Sequence, residues 1–212
     1  MIITHYGGEC FKVQVGDLVL AYNPLSKDAP VKASRFGSDI ALVAANHPLC
    51  NGIEQVTYSE KKPFVVSGPG EYEVKDVFIR GLASEHQLEG EVGINTIYLV
   101  QLEGVHLCFL GALSTTKIPA EAIEAMGEID VVFVPIGGKP VLSPAEAYKF
   151  AVSLEPGVII PMYCHGIGEK GALEHFMKEA GSKSTPVDKF TFKKKDIEGK
   201  SGEIVIIEPA KA

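Results

Sequence analysis

The sequence has no tryptophan, no C-x-x-C pair, no long apolar run and a single cluster of basic residues. Each absence excludes something. No apolar stretch approaches the ~20 residues that cross a bilayer, so no membrane partner is expected. The amino terminus, MIITHYGGECFKVQVG, lacks a basic start followed by an apolar core, so no signal peptide is expected. Cys10, Cys50, Cys108 and Cys164 stand apart in the chain, which fits reduced thiols and a cytoplasmic location. The formal charge of -7 repels phosphate backbones, so nucleic acid is not an expected partner. The lone basic run, Lys193-Lys194-Lys195, reads as an exposed, charged edge strand. Also missing are the G-x-S-x-G elbow, the phosphate loop G-x-x-x-x-G-K followed by Ser or Thr, and H-E-x-x-H. GPGEYE lacks dinucleotide-loop spacing and reads as a turn between strands.

What is present is a chain of 212 residues, 46% hydrophobic, long enough for one large core. Its 22 Gly and 13 Pro call for many tight turns, as in sheet-rich folds. CFKVQV and LVLAYN form a hairpin through Gly16-Asp17, and TIYLVQL and VHLCFLG form another through Glu103-Gly104. DIALVAA is continuously apolar, as for a strand buried on both faces. FVVSG and VFIRG flank PGEYEV and read as a further antiparallel pair. FKVQVGDLVLAYN aligns without a gap on YLVQLEGVHLCFL, and SDIALVAANHP on EIDVVFVPIGG. These matches suggest one domain of two pseudo-repeated halves, about 1–95 and 96–212, packed sheet against sheet. The alternative is coincidence between two hydrophobic hairpins.

Helices are expected in the second half. KIPAEAIEAMG has Pro119 near its start and Gly127 after its end. SPAEAYKFAVSLEPG carries an N-cap at Ser143, Pro144 at the first helical position and Glu146 to close a capping box. EKGALEHFMKEAG places Leu173, Phe176, Met177 and Ala180 on one face and stops at Gly181. VIIPMYCHG is a strand running into a loop, and the segment from Lys189 to Pro209 reads as a closing hairpin.

The polar loops all follow strand ends, where sites are usually built. They are NPLSK, NHPLCNG at 46–52, SEHQ at 84–87, GALSTT at 111–116, PIGGKP at 135–140 and PMYCHG at 161–166. The stretches ITHYGGECFKVQVGDLVLAYNP, SGPGEYEV, LCFLGA, IDVVFVPIGG, LSPAEAYKFAVSLEPGVIIPM and GEIVII, with this order of elements, resemble the metallo-β-lactamase fold. The resemblance is to the branch of predicted Zn-dependent hydrolases similar to L-ascorbate-6-phosphate lactonase, and it runs over nearly the whole chain. It implies an α/β protein, a four-layer αββα sandwich. It also implies two zinc ions held by a His-x-His-x-Asp-His loop, a further His, an Asp after FLG and a His in a PMH loop. Such a pair lowers the pKa of a shared water toward ~7.

This sequence departs from that pattern. With Asn46 on the first motif His, Pro48 takes the second, Cys50 the Asp and Asn51 the last His, leaving His47 at a spacer. A shift by one residue puts His47 on the second His, with Leu49 and Cys50 in place of the acidic pair. Ala112 stands for the FLGD aspartate and Tyr163 for the PMH histidine, followed by Cys164 and His165. Gly7-Gly8 and Asn23-Pro24 replace the family's Gly-His and Asp-Pro. His86 alone sits at a family ligand position. Pro, Ala and Leu offer no donor atom, and Asn is a poor zinc ligand.

The expected site is therefore a cleft of His47, Cys50, His86, Tyr163, Cys164 and His165, with no assured catalytic residue and no cofactor. Its occupant would be a small molecule. The alternative is a hydrolase of lactones or phosphoesters with an atypical, mononuclear zinc site drawn from His47, His86 and Cys164 or His165. A metal-free hydrolase with Cys50 or Cys164 as nucleophile is a third reading. Cys108 reads as core, with His106 on the same strand. His5 and His175 fall outside the candidate loops. The sequence sets no oligomeric state.

Overall fold

The computed structural model describes residues 1–60, 62–163 and 167–210, so Cys164 and His165 lie outside the described residues. The first sheet takes β1 (Ile2–His5), β2 (Phe11–Val15), β3 (Leu18–Tyr22), β4 (Ile40–Val43), β5 (Phe64–Ser67) and, at the far edge, β12 (Phe190–Thr191). The second runs β13 (Glu203–Ile204), β11 (Val158–Met162), β10 (Val131–Pro135), β9 (Val105–Phe109), β8 (Gly93–Leu102), β7 (Val77–His86), β6 (Gly70–Val74).

The two hairpins lie in different sheets, with β2–β3 in one and β8–β9 in the other. In each sheet the hairpin is preceded by an antiparallel neighbour and followed by two parallel strands. Period-two alternation aims Phe11, Val13, Leu20 and Tyr22 at Leu107, Phe109 and Phe133 across the interface. The Phe11–Phe133 and Tyr22–Phe109 ring centroids are each 5.0 Å apart. On β9 the opposite parity carries Cys108 into the core under the helices, with His106 on the same outer face. These two mixed sheets with flanking helices are the expected α/β architecture.

The helices crowd onto the second sheet. Met126 of α1 (Ala120–Met126) and Ala147, Phe150 and Ala151 of α2 (Pro144–Ser153) pack on Val132, Val134 and Ile159. Phe176 of α3 (Ala172–Ala180) joins the same cluster. The capping box of α2 forms: the Glu146 N–H donates to Ser143 Oγ, and the Ser143 N–H donates to Glu146 Oε2. Ser143→Ala is expected to lower stability by about 1 kcal/mol in urea denaturation. An unchanged midpoint would mean that the cap contributes nothing. The outer face of the first sheet, Ala21 and Ala41, is covered by Phe36, Ile53 and Val56 from the segment around a 3-10 turn at Ile53–Gln55.

Three local expectations need correction. FVVSG and VFIRG do not pair: β5 runs parallel to β4, while β7 pairs with β6 in the other sheet. The chain changes sheets at Gly68-Pro69, because the Pro69 ring cannot continue a ladder. The closing segment is not a hairpin either; β12 extends the first sheet and β13 the second. Between them Lys194 lies in the short helix α4 (Lys194–Ile197) rather than in an edge strand. Its ammonium sits 2.6 Å from Asp130 Oδ1, a stronger pull than solvent exposure offers. Among the described residues no helix is long and apolar enough to cross a membrane.

Candidate functional site

The strand ends that carry the polar loops are tied by two buried asparagines. Asn23, just beyond β3 with φ of 40°, accepts from the Ala44 N–H at 2.8 Å and donates to Glu9 Oε2 at 2.7 Å. Asn95, on β8, accepts from the Ala112 N–H at 2.9 Å and donates to Ser84 Oγ and the Leu110 carbonyl. The Thr96 N–H donates to the Ala44 carbonyl at 2.8 Å, which clamps one sheet to the other. Gly111 must be glycine here: its φ is +59°, and a Cβ would stand 2.5 Å from Asn95 Oδ1 and 2.7 Å from the Ala44 methyl. SEHQ is less a loop than a strand end, since Ser84 to His86 still pair with Asn95 to Gly93.

The loops meet, but they meet as a packed cluster. Cys10, Leu25, Leu49, Cys50, Leu88, Ala112, Val141 and Tyr163 form one apolar group. Cys50 is 0% exposed and Tyr163 4%. Both are buried among the described residues, where the expectation had them lining an open cleft. Leu25, Leu49 and Val141 pack in the same group. Burial pushes the Cys50 thiol well above its ordinary value, with Glu9 and Cys10 adding to the shift, so it is a poor nucleophile. Burial likewise raises the Tyr163 phenol, and Tyr163 holds a left-handed φ of 61°.

Beneath this cluster lies a residue that sequence reading passed over. Glu9 is 1% exposed; its Oε2 takes the Asn23 hydrogen bond, and its Oε1 has no partner among the described residues. Burial pushes its pKa up to about 8, against the lowering effect of Asn23. The acid therefore holds its proton at neutral pH. Its only sequence signal is a charge between apolar neighbours in GGEC, and such a residue ordinarily reads as solvated.

Burial, and after it the nearby His47, lowers the His86 pKa. Each ring sits in the same small turn: the Leu49 N–H donates to His47 Nδ1, and the Leu88 N–H donates to His86 Nδ1, both at 3.2 Å. A neutral imidazole that accepts at Nδ1 carries its hydrogen on Nε2. Metal-binding histidines show the reverse polarity, with one nitrogen donating to an acceptor and the other left bare. Among the described residues His47 Nε2 is buried without a hydrogen bond, with Glu89 Oε1 at 3.3 Å. The His86 ring covers Gly93, where a Cβ would fall 2.5 Å from Nε2. Asn46 and Asn51 bond to each other at 2.8 Å. Among the described residues, no three His, Cys, Asp or Glu side chains gather as a metal site.

Residues 2–163 match the family model described as a beta-lactamase superfamily domain. A UPF0173 metal-dependent hydrolase of Thermococcus kodakarensis is 30% identical over 155 residues, 69% of this chain and 66% of that protein. A second, from Thermococcus onnurineus, is 31% identical over 97 residues, 45% of this chain and 43% of that one. The matched parts thus span less than two thirds of either relative. A solved structure from Thermotoga maritima, described as a candidate Zn-dependent hydrolase of the metallo-beta-lactamase superfamily, superposes with a TM-score of 0.77. It shares 25% identity, with 97% of each chain covered. Igni18, a metallo hydrolase of Ignicoccus hospitalis, has the same fold at a TM-score of 0.68 and 16% identity, covering 99% of this chain and 96% of its own.

Proposed function

Because the chain belongs to the beta-lactamase superfamily, we propose that it is a member without the dinuclear centre, a small-ligand-binding protein with at most weak hydrolytic activity. The carrying observation is the polarity of His47 and His86. To ligate through Nε2, each ring would have to move its proton to Nδ1, against a backbone N–H already pointed there. The remaining positions support the same reading. Pro48 and Ala112 bring no donor, Cys50 and Tyr163 are packed and hold their protons, and a neutral Glu9 supplies none of the negative charge that two dications need. The residues present do not fit a metal pair, so no step is assigned to one.

The relatives' names favour a second reading, a metal-dependent hydrolase, here with a mononuclear site drawn from His47, His86 and Cys164 or His165, the last two outside the described residues. One experiment separates the two. Protein purified without chelator is analysed for metals, then assayed on lactones and phosphodiesters with and without EDTA, alongside His86→Ala. The expected outcome is less than about one transition metal per chain and turnover indifferent to EDTA. Stoichiometric metal with turnover abolished by EDTA and by His86→Ala would establish the hydrolase instead.

A further inference from the structure

The outer face of the second sheet is covered unevenly. α1 and α2 lie over β10 and parts of β7 to β9, and the turn-side ends of β7, β8 and β9 around Phe78, Gln101 and His106 are left beside the edge of α1. There the chain encloses a groove of about 340 Å³, within the ~300–1,000 Å³ typical of small-molecule sites. Its floor is set by strand parity. Val77, Ile79, Tyr98 and Val100 turn into the core, so Phe78, Arg80, Leu99 and Gln101 turn outward. Register then aligns Phe78, Gln101 and His106 in one row across three strands. Met126 of α1 forms the wall.

The charged groups around this groove hold one another in ion pairs. Arg80 donates through Nε and Nη2 to Glu71 Oε1 at 2.9 and 2.6 Å. Glu128 faces the Lys194 ammonium, which also holds Asp130. Two carboxylates thus share one ammonium, and the net negative charge left at this rim disfavours an anionic ligand. Two polar groups on the floor do remain. The Gln101 side-chain amide makes no hydrogen bond among the described residues. His106 Nδ1 is buried without a hydrogen bond among the described residues, with Asp130 Oδ2 at 3.5 Å. That carboxylate favours a proton on Nδ1 and so leaves Nε2 as an acceptor. Phe78, 52% exposed, and Leu99 offer an apolar bed beside them.

We infer that this groove, rather than the packed strand ends, is the ligand site of the protein. Its ligand is a non-anionic amphipathic molecule with an aromatic or branched apolar body and a hydroxyl or amide group that meets Gln101 and His106. The inference rests on the small-ligand reading above and gives it a location and a chemical class.

The test is a fluorescence titration of the full chain with the uncharged dye Nile red and the anionic dye 8-anilinonaphthalene-1-sulfonate. Saturable, blue-shifted binding of one Nile red per chain is expected, with the anionic dye weaker by about tenfold or more. Leu99→Glu puts a charge on the floor and should weaken Nile red by at least about tenfold. Phe78→Ala removes half-exposed surface, so the fold should tolerate it, and should weaken the dye about threefold or more. Nile red binding that both variants leave unchanged, or tighter binding of the anionic dye, overturns the inference. EDTA-sensitive turnover would overturn the proposed function without moving either dye titration, so the two failures are distinguishable.

Discussion

Glu9→Gln makes the protein more stable than the wild type by about 3 kcal/mol at pH 9 and leaves it within about 1 kcal/mol at pH 5. The cause is the buried carboxyl, whose pKa stands at about 8 in the folded chain against an ordinary 4.5. Between those values the folded protein keeps a proton that the unfolded chain has released. Folding takes up a proton there, so stability is full below about pH 4.5, falls as pH rises, and levels off above pH 8. Each pKa unit corresponds to about 1.4 kcal/mol, so the whole shift sets a ceiling of about 5 kcal/mol. Relaxation around an ionised carboxylate brings the expected loss to about 3 kcal/mol. Glutamine keeps an acceptor for Asn23 Nδ2 and never ionises. Urea denaturation midpoints at pH 5, 7 and 9 read the effect directly. If wild type and variant decline in parallel with pH, Glu9 is not the titrating group.

Asn95→Ala lowers stability by about 3 kcal/mol and loosens the loop that begins at Gly111. The side chain is wholly buried and makes three hydrogen bonds, to Ser84, to the Leu110 carbonyl and from the Ala112 N–H. Truncation leaves a carbonyl and an N–H in the interior without partners. Each unsatisfied group costs about 1–3 kcal/mol, more than the net value of the bonds themselves. Native-state hydrogen exchange should show the Ala112 amide speeding up more than amides of the β2–β3 hairpin, which Asn95 does not touch. A loss below about 1 kcal/mol, or uniform acceleration throughout the chain, would show that Asn95 is only one core contact among many.

What could be read in advance depended on whether a signal was local. The hairpins at Gly16-Asp17 and Glu103-Gly104, the doubly buried β4 and β10, and the Ser143–Glu146 cap all rest on residues close in sequence. They appeared where period and capping put them. β5 and the closing segment misled because apolar alternation gives a strand without naming its neighbour. FVVS serves equally beside VFIRG or beside IALV, and only the turn at Gly68-Pro69 and the opposing sheet decide between them.

The candidate site divides along the same line. The sequence by itself determined that Pro48, Leu49 and Ala112 stand where ligating side chains are called for, because a residue without a donor atom cannot acquire one by folding. It determined the two-sheet architecture as well, through patterns repeated along most of the chain. Only the tertiary structure decided that Cys50 and Tyr163 are packed rather than open, that burial raises the Glu9 pKa, and that backbone N–H groups point at Nδ1 of His47 and His86. Burial, pKa and tautomer depend on which atoms of distant segments come within a few ångströms. Asn23 beside Glu9, or Ala112 against Asn95, are neighbours that the folded chain creates and that its linear order does not contain.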